Sequence, residues 1–274
     1  MKSGISHKID KKTEEYSRIT PSATRDFNFV NKRGVTKFED GDLSGALEDF
    51  KEVIKLNSHF AKGYFNMGLV YQELGRLDEA LDSYETASVL NPLFADAYCN
   101  MGVIKASQDQ PENAILYLDK SLALNPIHSL SLYNRSILKH KLNKPDEALE
   151  DANKSICLDR SRPEYYNNRG IIKKDMADYQ GAIMDFTQAI ELNSSAYEYY
   201  LNRGKTWYKL KELQKALDDL SYCLTLNDGC SEAYYYRGVI RFQLTDYDAS
   251  VKDMLRSYTT DPETKYFSEK IRKT

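Results

Sequence analysis

Small and bulky side chains recur along this chain with a period of 34 residues. Gly34, Gly68, Gly102, Gly170, Gly204 and Gly238 fall on one lattice, whose remaining member is Ser136. Twelve residues further on, a second small column reads Ala46, Ala80, Ala114, Ala148, Ala182, Ala216 and Ser250. A third column is mostly bulky: Phe50, Tyr84, Leu118, Ala152, Phe186, Leu220 and Met254. Small residues at two matched columns let two helices approach closely at the same level of every repeat, so the unit predicted is a helix–turn–helix. Counted from Phe27, repeats run without insertion or deletion over 27–60, 61–94, 95–128, 129–162, 163–196, 197–230 and 231–264. The prolines agree. Pro92, Pro126 and Pro262 fall where a second helix must stop, Pro111 and Pro145 where one begins, and Pro163 opens a first helix. Gly41 and Gly75 punctuate the turn inside the first two repeats. Residues 1–26 read as a polar N-terminal extension, and residues 265–274 as a short capping helix or tail.

The residues Tyr64, Met67, Gly68, Tyr71, Ala80, Tyr84, Ala87 and Pro92 resemble the tetratricopeptide repeat (TPR), a helix pair with this period. The resemblance covers residues 27–264. It implies an all-α fold, a right-handed α-solenoid superhelix of antiparallel helix pairs with first helices lining a concave groove. It implies little about function, because one scaffold serves many partners.

Aligning the repeats with one another exposes two further columns. Position 7 is Arg33, Arg135, Arg169, Arg203 and Arg237 in five repeats, and Met67 and Met101 in the other two. Sixteen residues after each arginine stands Asp49, Asp151, Asp185, Asp219 or Asp253, whereas the methionine repeats have Ser83 and Tyr117. Arginine and aspartate are present together and absent together, which predicts a bidentate ion pair between the two helices of each of those five hairpins. Four positions beyond the position-7 residues lie Lys37, Lys105, Lys139, Lys173 and Arg241. These are expected to snorkel from half-buried stems, or, with the arginines, to form a basic stripe for acidic ligands.

Position 6 carries Asn66, Asn100, Asn134, Asn168 and Asn202. Two residues along a helix is about 200° of rotation, so these amides point away from the packing glycine and out of their own hairpin. By the resemblance, this position lies on the concave groove, and in a superhelical member of the family a similar asparagine row holds the backbone of an extended peptide. A carboxamide both donates and accepts, so it pairs with a peptide amide of any sequence. The alternative is that these asparagines only cap or hydrogen-bond neighbouring helices. Lys205 and Lys209 join the candidate partner-binding residues on the same assignment, with Lys174 and His140 nearby and Glu164, Glu198 and Glu232 in opposition. The carboxylate clamp of chaperone-binding family members needs a lysine at position 5. That position holds Asn31, Phe65, Cys99, Tyr133, Asn167, Leu201 and Tyr235, so this partner class is not expected.

Composition narrows the remaining classes. With 38 Lys and Arg against 41 Asp and Glu, the chain lacks the basic excess of a nucleic-acid-coating protein. No apolar run approaches a membrane span, and the first residues have no apolar stretch of a secretory signal. Four cysteines without a CxxC pattern fit reduced thiols and a cytoplasmic setting. Gly204-Lys205-Thr206 is no phosphate loop, because Tyr199 stands where its first glycine should be. His7, His59, His128 and His140 have no metal-ligand spacing, and no nucleophile–base pair is evident. No cofactor or catalytic site is expected. The sequence therefore predicts a non-enzymatic adaptor or scaffold that holds a protein or peptide partner in its groove. Alternatives are a structural subunit of a transport, ciliary or secretion assembly, or a regulatory subunit of a separate enzyme.

Overall fold

In a computed structural model the described residues are 26–260, so the extension before Asp26, the end of the last repeat with Pro262, and the tail at 265–274 lie outside them. Fourteen helices follow one another, with no strand among the described residues. First helices are α1 (Phe27–Glu39), α3 (Ala61–Glu73), α5 (Ala95–Ser107), α7 (Ser129–Lys141), α9 (Pro163–Asp175), α11 (Tyr197–Lys209) and α13 (Ser231–Gln243). Second helices are α2 (Leu43–Leu56), α4 (Leu77–Leu90), α6 (Pro111–Leu124), α8 (Pro145–Leu158), α10 (Tyr179–Leu192), α12 (Leu213–Leu226) and α14 (Tyr247–Thr260). Every first helix has 13 residues and every second helix 14, which is the predicted 34-residue unit. None of them is long and apolar enough to cross a membrane.

The ends of the helices are set by local chemistry. Pro111, Pro145 and Pro163 occupy first-turn positions, where a missing N–H costs nothing. Asp42 and Asp178 cap α2 and α10 by accepting from Gly45 N and Gly181 N at 2.9 and 3.0 Å. A column that the sequence reading passed over closes the second helices: Asn57, Asn91, Asn125, Asp159, Asn193 and Asn227 are their C-caps. Asn57, Asn91, Asp159, Asn193 and Asn227 each accept through their side chain from the backbone N–H two residues on, at 3.0–3.2 Å. Inside the repeats, Gly41 and Gly75 take left-handed φ values of 84° and 72°. At the same place the later repeats put Asp109, Asn143, Ala177, Lys211 and Thr245 into the left-handed region, at φ 57–65°.

The chain divides into two compact units, residues 1–126 and 127–274. In the first, α1–α6 pack consecutively, and α1 also touches α3. In the second, α7–α14 do the same, with further contacts from α7 to α9, α9 to α11 and α11 to α13. Six hairpins close on their glycine and third-column residue. A Cβ at Gly68 would lie 2.6 Å from the Tyr84 ring, and one at Gly170 the same distance from the Phe186 ring. Both rings are fully buried. The one repeat without this glycine explains itself: Ser136 stands opposite Ala152, both wholly buried, so the bulk moved from one column to the other.

This exchange is testable. Gly170→Ser should destabilise by about 1–3 kcal/mol, because the added side chain overlaps the Phe186 ring. Phe186→Ala should cost about 3–5 kcal/mol as a cavity. The double variant, which copies the Ser136–Ala152 arrangement, should cost clearly less than the sum. Urea unfolding of all three would show it, and simple additivity would refute the compensation.

Candidate functional site

All five arginine–aspartate pairs form within their own hairpins. Nε and Nη2 of Arg33 donate to Asp49 at 2.9 and 2.7 Å, and those of Arg135 to Asp151 at 2.7 Å each. Arg169 reaches Asp185 at 2.9 and 2.6 Å, Arg203 reaches Asp219 at 2.8 and 2.7 Å, and Arg237 reaches Asp253 at 2.8 and 2.7 Å. The aspartates are buried, the most exposed being Asp219 at 7%. The planar fork of arginine satisfies both oxygens of a buried carboxylate.

Four of the five cations four positions on are neither solvent-seeking stems nor a free basic stripe. Lys37, Lys139, Lys173 and Arg241 sit 2.7–3.0 Å from Asp49, Asp151, Asp185 and Asp253 respectively. Each of those four aspartates therefore lies between two cations. In the sixth repeat Trp207 takes the place of the second cation, beneath the Lys215 ammonium at 4.6 Å. Burial pushes the Asp151 carboxyl up, but hydrogen bonds from Arg135 and Lys139 outweigh it and hold the group below the usual carboxylate range. A further tie runs between repeats. Nη1 of Arg169, Arg203 and Arg237 donates to Asn153, Thr187 and Ser221 on the preceding second helix, at 2.9, 3.1 and 3.5 Å.

The asparagine row does leave its own hairpin, as the helical rotation predicts, and where its bonds are resolved it turns towards the preceding repeat. Asn66 Nδ2 donates to Asn31 Oδ1 at 2.9 Å, Asn168 Nδ2 to Ser136 Oγ at 2.6 Å, and Asn202 Nδ2 to Asn167 Oδ1 at 3.0 Å. Asn66 and Asn168 are buried, whereas Asn100, Asn134 and Asn202 are half-buried. Burial pushes the buried Tyr84 phenol up, and the Asn100 side chain works against that shift. An amide proton is thus engaged in holding adjacent first helices at three of the five positions.

The two lysines of the candidate set separate. Lys205 is half-buried, paired with Glu232 at 2.5 Å and placed 5.4 Å from the centre of the Tyr236 ring, both on α13. Lys209 is exposed. Lys174 packs close by, and burial, reinforced by the Lys205 charge, pulls its ammonium below the ordinary lysine range. Tyr208 and Tyr236 meet edge to face at 5.8 Å, and Gln243 donates to the Tyr208 hydroxyl at 3.1 Å. Burial pushes the Tyr236 phenol up to about 12. Tyr208, Tyr236 and Gln243 share no repeat column, and their only signal in the sequence is the spacing of 28 residues between the tyrosines and of 35 from Tyr208 to Gln243.

Family models described as tetratricopeptide repeat match residues 61–93, 95–128 and 167–229, and one described as TPR repeat matches 34–75. No curated protein matches the chain. Among solved structures, the APC/C hetero-tetramer Cut9–Hcn1 contains a similar chain, with TM-score 0.75, 18% identity, and coverage of 96% of this chain and 51% of that one. PilF of Pseudomonas aeruginosa is similar at TM-score 0.69 and 17% identity, over 80% of this chain and 97% of its own. YrrB, titled a TPR protein with an unusual peptide-binding site, gives TM-score 0.57 and 18% identity, over 71% of this chain and 100% of its own. At these identities the likeness concerns the fold.

Removing the Asp185 carboxylate alone leaves Arg169 and Lys173 facing each other, so Asp185→Leu should cost about 3–5 kcal/mol. Replacing Arg169, Lys173 and Asp185 together with apolar residues should cost much less, as a thermodynamic cycle by urea unfolding would show. The depressed Asp151 carboxyl also makes stability depend on pH. Its contribution is full above the unfolded carboxylate value of about 3.9 and is lost as pH falls through the lower folded value. Acid titration of the unfolding midpoint should show this loss, and Asp151→Asn should flatten it.

Proposed function

The chain belongs to the tetratricopeptide repeat family, and from that premise we propose that it is a non-enzymatic scaffold holding a protein or peptide segment in the groove of its first helices. The observation that carries the reading is the first-helix face of α11 and α13. There Lys205, Tyr208 and Tyr236 are held in place by one another and by Glu232 and Gln243, Asn202 is held by Asn167 of α9, and Lys209 is exposed. Rigid aromatic rings and pre-paired polar groups give contact area at small cost in side-chain entropy. Within the second unit Asn134, Asn168 and Asn202 supply amides for the backbone of the bound segment. At Asn168 and Asn202 one amide N–H is engaged by the preceding repeat, which leaves the side-chain carbonyl oxygen as the natural acceptor for an N–H of that segment.

A second reading, a structural subunit within a larger assembly, is favoured by α14. Tyr247, Val251, Leu255 and Tyr258 follow helical spacing along it and are 53–59% exposed. Affinity recovery of partners from cells would separate the two. Asn202→Ala with Lys205→Ala and Lys209→Ala should lose a groove-held partner, while Val251→Lys with Leu255→Lys should leave it. The opposite pattern supports the subunit reading. Asn202→Ala alone should lower stability by only about 1 kcal/mol through its lost inter-helix bond, which a thermal melt would check.

A further inference from the structure

The third repeat breaks the ion ladder in a particular way. It keeps the lysine four positions beyond position 7, Lys105, but has Tyr117 where the aspartate should be and Met101 in place of the arginine. In the four repeats that hold both position-7 arginine and a cation at the Lys105 position, that cation reaches a buried carboxylate within 3.0 Å. Lys105 instead donates to the Gln108 side-chain oxygen at 3.2 Å, and no carboxylate pairs with it among the described residues. The space beside it is open. A cavity of about 640 Å³ is lined by Lys105, Asn113, Leu116, Tyr117, Asp119 and Lys120, among others, all within the first unit. Its volume lies in the ordinary range for ligand pockets. Lys120 stands over the Tyr98 and Tyr117 rings, at 5.8 and 5.6 Å from their centres. Leu116 presents a side chain that is 61% exposed. The lining thus carries two lysines and one aspartate beside an exposed leucine.

We propose that this cavity is a docking site for an acidic peptide segment, whose Asp or Glu carboxylate pairs with Lys105 from the cavity side, as the hairpin's own aspartate pairs with the equivalent cation in other repeats. Lys120 holds a second acidic side chain or the far oxygen, and Leu116 carries an adjacent apolar residue. A carboxylate fits this cation better than a phosphate, because the four equivalent cations all have carboxylate partners and no arginine lines the cavity. The site is separate from the first-helix groove and does not rest on the reading of that groove.

The test is fluorescence anisotropy of the full chain with a labelled peptide of alternating glutamate and leucine, beside its glutamine–leucine counterpart. The glutamate peptide should bind saturably, and Lys105→Gln or Lys120→Gln should each weaken it roughly tenfold, the size of one lost charge-assisted hydrogen bond. Lys105→Arg should retain binding, and Asn202→Ala with Lys209→Ala should leave it unchanged. Both lysine variants alter partly or fully exposed side chains, so an unaltered circular-dichroism melt shows that folding is not what changed. Met101→Arg with Tyr117→Asp, which restores the internal carboxylate, should abolish binding. The proposal is overturned by absence of binding, by equal binding of the glutamine peptide, by indifference to Lys105→Gln, or by displacement with inorganic phosphate as effective as with free glutamate peptide.

Discussion

A buried carboxylate needs charged N–H donors on both of its oxygens, and this need organises five of the seven helix pairs. The aspartate sits on the second helix and the arginine on the first, so the bidentate contact fixes how far one may slide along the other. The third guanidinium nitrogen then reaches back to the preceding second helix in three successive repeats. One side chain therefore joins three helices. The tie confers order on the stack more than net stability, since moving both charges out of water consumes most of their attraction. Apolar packing around the glycine and alanine columns carries the burial.

The packing columns, the 34-residue period and the arginine–aspartate pairing were legible in the amino-acid sequence, because each recurs at one spacing and its partners vary together. Ser136 and Ala152 were visible as two separate departures from their columns. Only the contact across the hairpin joins them into one exchange of volume. The fate of Lys37, Lys139, Lys173 and Arg241 was misread. A position four residues along a helix points the same way as its predecessor, and the carboxylate has lone pairs enough for both cations. Covariation with the aspartate is imperfect at Lys105 and Trp207, which masked the link.

The asparagine row was assigned its direction correctly with respect to its own hairpin. Its destination was not legible, because that depends on the rotation between successive repeats. The acceptors differ, being Asn31, Ser136 and Asn167, and they occupy positions 5 and 8 of the preceding repeat. No single column carries the signal. The Asn and Asp residues that close the second helices were legible in principle, as a column of turn-forming side chains at position 31, and needed only to be read as punctuation.

Ser136 has a meaning beyond volume. It is the residue that takes the glycine's place in the fourth repeat, and its hydroxyl is what receives the Asn168 amide from the fifth. A glycine there has no side-chain oxygen to offer, and the ring that a glycine admits would fill the room that Ala152 leaves. The fourth and fifth repeats are therefore matched to each other, though they share a length with all the rest. Equal period makes these repeats look like identical bricks, yet their order is part of the fold. A chain in which the same segments were shuffled would keep every helix and lose the joint between this pair.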